Sequence, residues 1–329
     1  MKRKIIKFII NHWNDSLIKN SFLLVLNSAI LSGFGFIFWI ICARIYSTSE
    51  IGYGSNLVSL LGIILVASSL GFDDSFIKFL PTSKKKNKII GTCLTTSFIF
   101  SIILSSLLIF FYKFFFPDIP IFNSIVSILI FLFSGGIWVI FNLFESIYLS
   151  IKKTKFILIK NSLFSLLKIL FPFFLLSLDY FGIYFSWIFS ALLTLIVIYL
   201  MYPFDVKLSF NIKIIKKLFK FSITNYFANL FFWLRTLLLP LLVTVTMGAT
   251  KAAFFYIAFN ISSSIFQVIP RAIAKSLFAD SSNKGKSQRK NLNKSMILSF
   301  SISGSIAIFI LLFGKYLLLL FGKDYSVHS

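Results

Sequence analysis

Apolar residues run through this chain in long blocks rather than in alternation. Nine blocks stand out, roughly 21–43, 52–72, 90–112, 121–149, 156–178, 181–201, 219–245, 252–274 and 296–320. Each holds about the 20 residues that a helix rising 1.5 Å per residue needs to cross a hydrocarbon layer about 30 Å thick. Lipid leaves a spanning backbone two choices, helix or closed barrel, and barrel strands show short alternating segments instead. The pattern predicts an all-α, polytopic membrane bundle of nine spans.

The polar separators alternate as well. Lysine and arginine gather in every second connection, between Lys2 and Lys19, Lys78 and Lys88, Lys152 and Lys160, Lys207 and Lys220, and Arg271 and Lys294. These hold 26 of the 33 basic residues. The intervening connections hold Arg44, Lys113, Lys251 and Lys323. The bias of positive charge towards the cytoplasm predicts an internal N-terminus and an external C-terminus, as nine spans require, in a plasma or inner membrane. The basic start, "MKRKIIKFIINHWNDSLIK", lacks the unbroken apolar core and cleavage site of a signal peptide. It is expected to remain as a cytoplasmic segment (1–20) with an interfacial amphipathic helix. A six-helix lobe (21–202), a cytoplasmic connector (203–218) and a partial lobe of three helices (219–329) follow.

Composition supports this picture. The chain is 58% hydrophobic and 13% charged, against about 25% charged in soluble domains. Its net charge of +23 reads as a topological signal with affinity for anionic lipid heads, and not as nucleic-acid binding. Cys42 and Cys93 read as small apolar fillers. His12 and His328 stand near opposite ends, and no metal-ligand spacing occurs. No phosphate loop, nucleophile elbow or metalloprotease motif is present, so the chain reads as a non-enzyme that needs no cofactor.

Polar residues inside the spans are the candidate chemistry. Tyr256, Asn260, Ser263, Gln267 and Arg271 recur at helical steps along one face. Asn161, Ser165 and Lys168 do the same ahead of Pro172. Ser222, Asn225, Asn229 and Thr236 form a third stripe, and Ser28, Ser32, Gly35 and Trp39 a fourth. Two roles suit such stripes: glue between packed helices, or the wall of a wet cavity. Arg235 and Lys168 stand near the middle of their spans, where a charge costs on the order of 2.5–3.5 kcal/mol. Arg235 is about 18 Å of helix rise from the outside turn, too far for its side chain to reach without a strong tilt. It also lies about 120° around its helix from Asn225 and Asn229. Either cation could meet an anionic substrate, phosphate above all, or pair with Glu145, Asp73 or Asp74.

Two stretches carry a family resemblance. The first, "ARIYSTSEIGYGSNLVSLLGIILVASSLGFDDSFIKFLP" (Ala43–Pro81), resembles the opening hairpin of the prokaryotic oligosaccharide flippases of polysaccharide biosynthesis. It has Arg44, Glu50, Gly52–Tyr53, Leu70–Gly71–Phe72 and Lys78–Phe79–Leu80–Pro81 in the family's places. The second, "TMGATKAAFFYIAFNISSSIFQVIPRAIAKSLFADSS" (Thr246–Ser282), is similar to the hairpin opening that family's second half, with Gly248, Tyr256, Ile269–Pro270 and Phe278. The closing "FGKDY" resembles the family's "fG..Y". The two hairpins also resemble each other, with Tyr53 and Asn56 matching Tyr256 and Asn260, six spans apart. That is the parallel repeat of a two-lobed rocking transporter.

The resemblance implies a flippase carrying a lipid-diphosphate-linked oligosaccharide to the outer leaflet for surface polysaccharides such as O-antigen. Arg235, Lys168, Arg44, Asn225, Asn229, Asn260 and Gln267 would face its head group. Glu145, Asp73 and Asp74 would serve ion pairing or coupling. Membrane lipids, polymerase or glycosyltransferase machinery are the implied partners. Two departures stand out. No acid neighbours Arg235, and nine spans fall short of the twelve in a six-plus-six plan. The latter implies a truncated product or a second chain that completes the lobe. A cation-coupled antiporter and a non-transporting accessory protein are the alternatives.

Overall fold

The computed structural model describes residues 16–115, 124–203, 207–263 and 288–327. Among these every regular element is helical. Seven helices are long and apolar enough to cross a membrane, and Ser303–Leu319 forms a shorter apolar helix. The eighth expected span is helical over 249–263, and the rest of it lies outside the described residues.

The chain runs α1 (Ser16–Ile45), α2 (Thr48–Ser68), α3 (Phe72–Phe79), α4 (Lys86–Phe115) and α5 (Ile125–Ser150). It continues through α6 (Thr154–Phe174), α7 (Tyr180–Met201), α8 (Ile212–Met247), α9 (249–263), α10 (Gln288–Leu319) and the short α11 (Lys323–Val327). Local chemistry sets several boundaries. Ser47 and Glu50 form a capping box at the head of α2. The Ser47 hydroxyl accepts from the Glu50 amide at 3.3 Å, and the Glu50 carboxylate accepts from the Ser47 amide at 2.6 Å. Glu50 therefore has a structural job in the stretch that carries the family resemblance.

Two boundaries differ from the sequence expectation. The second span was expected to run to residue 72, but α2 stops at Ser68 and the chain turns through Leu70 (φ 52°) and Gly71 (φ 67°). A side chain at Gly71 would also meet the Ser222 hydroxyl of α8 at 2.6 Å, so the turn and α8 pack against one another. The short α3 follows, with Phe72 and Phe76 fully buried. The connector expected over 203–218 is cut short as well. Asn211 caps α8, its side chain accepting from the amides of Lys213 (3.1 Å) and Ile214 (3.2 Å). The first turns of α8 then place Ile214, Ile215 and Leu218 in the core built around Leu57 and Phe76.

In the bundle α1 packs on α6, α6 on α7, and α4 on α5. Among the described spans the most buried is α2, which touches α4, α5, α7 and α8. Two cores result. One fills the first lobe around Leu57, Phe76, Phe144 and Tyr148. The other lies at the lysine-poor end of the bundle, where Phe38 and Cys42 of α1 meet Ala253 and Ile257 of α9, with Phe321 and Tyr325 beyond α10.

Candidate functional site

A divided cavity lies between α2, α5 and α7 on one side and α8 and α9 on the other. Its first chamber, about 710 Å³, is bounded by Gly62 of α2, Asp73 and Asp74 of α3, Trp233 of α8 and Phe259 of α9. The second, about 850 Å³, lies between α1 and α6, with Gly33, Trp39, Phe164 and Lys168 in its wall. Trp138, Asn142, Glu145, Trp187, Tyr256 and Asn260 border both, so one partition serves two chambers.

The lysine-poor end is sealed. Asn56 of α2 and Thr244 of α8 exchange hydrogen bonds of 2.8 and 3.0 Å between buried side chains. Gly52 packs directly on the Ala249 backbone. Trp39 meets Tyr256 edge-on at 4.8 Å and Phe36 meets Phe321 at 5.2 Å. Arg44 donates to the carbonyls of Leu319 (3.1 Å) and Leu320 (2.9 and 3.1 Å), capping the end of α10. At the lysine-rich end, the first chamber reaches Asp73, Asp74 and the partly exposed Glu145.

Lys168 is the one lysine or arginine among the described residues that border the two chambers. Its side chain is 3% exposed. The ammonium lies over the rings of Trp187 (4.4 Å), Phe164 (5.0 Å) and Phe38 (5.2 Å). These faces stabilise a desolvated cation by about 2 kcal/mol, but they supply no counter-charge. Among the described residues it has no ion pair and no hydrogen bond. The Ser165 hydroxyl one turn away and the Trp187 indole N–H are also buried without a hydrogen-bond partner. Lys168 and Trp187 thus bring two donors from the facing helices α6 and α7 to the second chamber, whereas Ser165 borders neither chamber.

Glu145 meets a different lysine. Lys160 is completely buried, donates to the Phe141 carbonyl at 2.9 Å and stands 3.8 Å from the Glu145 carboxylate. Asn161 bridges the network, donating to Glu145 at 3.0 Å and to Asn27 at 2.9 Å. Sequence reasoning placed Lys160 in a cytoplasmic connection. The structure places it a turn and a half inside α6, within the lobe. Ser146 donates to Asp73 at 3.3 Å.

The remaining sequence candidates divide. Asn229 borders the first chamber and Asn260 borders both. Arg235 does not come to either chamber. It is exposed on another face of α8 with its guanidinium 5.5 Å above the Phe232 ring, as its 120° offset from the Asn229 stripe requires. Asn225 is exposed as well, and Arg44 belongs to the seal. Gln267 and Arg271 lie outside the described residues. The sequence reading passed over Lys160, Asn142, Trp138 and Trp187. The tryptophans left a signal, since a large polar-edged ring deep in a span suits a cavity wall, but 44 phenylalanines mask it.

Solved structures share this fold. The inward-facing conformation of a multidrug resistance MATE family transporter of the MOP superfamily is 16% identical. It covers 91% of this chain and 74% of its own, with a TM-score of 0.66. The outward-facing conformation of a transporter of that family is 14% identical, over 93% of this chain and 73% of its own, with a TM-score of 0.54. A MOP superfamily transporter from Pyrococcus furiosus, described as having a binding pocket of reversed polarity, is 16% identical over 95% and 75%, with a TM-score of 0.54. No curated protein matches the chain. The model of one family, polysaccharide biosynthesis protein, spans residues 41–328. Built as a membrane helix bundle around a divided cavity, with the fold of MATE-type transporters, this chain belongs to the polysaccharide biosynthesis protein family.

Proposed function

We propose that this chain moves a lipid-diphosphate-linked oligosaccharide from the cytoplasmic to the outer leaflet by alternating access of two lobes. The observation that carries the reading is Lys168, 3% exposed and without a counter-ion among the described residues, in the wall of an aromatic chamber. A buried charge is costly unless it is paired, and a diphosphate supplies the missing partner. Trp187 adds a neutral donor to the same anion, while the lipid tail stays in the bilayer. With the lysine-rich end in the cytoplasm, the sealed end faces outward and the chambers await substrate from inside. On this reading the substrate, membrane lipids and the glycosyltransferase or polymerase machinery are the partners.

The test is a leaflet-accessibility assay with a fluorescent lipid-linked sugar in proteoliposomes. Losing a charge-assisted hydrogen bond removes about 1.5–3 kcal/mol, so Lys168→Gln should slow delivery by about ten- to a hundredfold. Arg235→Leu should cost less than Lys168→Gln. Delivery by Lys168→Gln at the wild-type rate would end the reading.

A second reading has one observation in its favour. Asp73, Asp74 and Glu145 border the first chamber, and a cation-coupled antiporter needs carboxylates within its cavity. Dye efflux driven by a proton gradient and blocked by Glu145→Gln would decide for it.

A further inference from the structure

The two chambers carry opposite charge. The first has Asp73, Asp74 and Glu145 in its wall and no lysine or arginine among the described residues that border it. Lys160 balances Glu145 at 3.8 Å, which leaves the two aspartates of α3 in surplus. The second chamber has Glu145, already balanced, and Lys168, which is not. Apart from Glu145, which Lys160 balances, the shared wall of Trp138, Asn142, Trp187, Tyr256 and Asn260 carries no charge. A head group that spans both chambers therefore meets a positive wall in the second and a negative wall in the first.

Resting on the flippase reading, we infer that the cavity orients and selects its cargo by this charge split. The diphosphate goes to Lys168 and Trp187, and the first chamber takes a glycan whose sugars are neutral or amine-bearing. Sugars with carboxylates are rejected there. Carboxylate walls suit sugar hydroxyls, which donate to them in charge-assisted hydrogen bonds, and suit an ammonium better still. A uronate would set a third negative charge beside Asp73 and Asp74. Two like charges about 6 Å apart at an effective dielectric of about 40 repel enough to weaken binding roughly tenfold. Asn229 and the unpartnered Thr236 hydroxyl of α8 stand on the same chamber wall as neutral partners for hydroxyl groups.

The experiment compares three short-chain polyprenyl diphosphates, carrying a neutral hexose, a hexosamine with a free amine, or a hexuronic acid. Binding to the detergent-solubilised chain is measured for the wild type, Asp73→Asn/Asp74→Asn and Lys168→Gln. The expected wild-type order is amine at least as tight as neutral, with the uronate about tenfold weaker. The double aspartate variant should bring the neutral-to-uronate ratio close to one. Lys168→Gln should weaken all three probes and keep the ratio, because the diphosphate is common to them. Equal or tighter binding of the uronate by the wild type overturns the charge split and leaves the flippase reading standing. So does a ratio that the aspartate variant does not change. Failure of all three probes to bind overturns the flippase reading and this inference with it.

Discussion

Gly52 offers a sharp test of the seal. A Cβ added there would lie 2.7 Å from the carbonyl carbon of Ala249 and nearer still to its oxygen. Ordinary contact begins at 3.4 Å, so Gly52→Ala forces α2 and α9 apart by roughly 0.7 Å or more. The opposing atoms are backbone, and no side chain can rotate out of the way. Overpacking of this kind costs about 1–3 kcal/mol. On the alternating-access reading the two helices part when the lysine-poor end opens, so the cost falls on the sealed state. The balance between sealed and opened states should shift by about 5- to 150-fold. Cys42 is a built-in reporter, since it is fully buried in the core at that end. In a Cys93→Ser background, maleimide should label Cys42 faster in Gly52→Ala by that factor when opening is rapid and reversible. Gly304→Ala is the control, because nothing lies within 4 Å of a Cβ placed there. Labelling of Cys42 at the wild-type rate in a folded Gly52→Ala protein would refute the packing argument.

Other predictions follow from the polar groups. Asp73 lies between the membrane-spanning helices, and burial pushes its carboxyl up to about 6 from 3.8, with Asp74 raising it further against the hydrogen bond from Ser146. The folded state thus holds this proton more tightly, and stability falls as pH rises from about 4 through 6. Asp73→Asn should therefore stabilise the protein by about 1–3 kcal/mol at pH 8 and by much less at pH 4, read from thermal melts in detergent. Glu145→Gln leaves Lys160 buried without its carboxylate and should destabilise by about 2–4 kcal/mol, with Lys160→Met in the same chain restoring most of the loss. Arg44→Ala frees the Leu319 and Leu320 carbonyls. It should speed Cys42 labelling without altering probe affinity at Lys168, which separates the seal from the cavity.

The sequence by itself determined the medium and the element type. Runs long enough to cross a bilayer admit only helices here, and the alternation of basic and bare connections predicts how they are strung. It also determined the residues worth asking about, because a charge inside an apolar run is costly wherever the run ends up. Which charge meets which neighbour was decided by the tertiary structure. Lys168 and Arg235 look alike along the chain, each a lone cation within a span. Lys168 faces three aromatic rings and a cavity because α6 is clasped between α1 and α7. Arg235 points away because the cavity face of α8 is the one bearing Asn229 and Trp233. Lys160 read as part of a basic connection, yet the first turns of α6 run inside the lobe and bury it beside Glu145. Helical periodicity says which residues share a face. Only the packing of one helix against another says which face looks into the cavity.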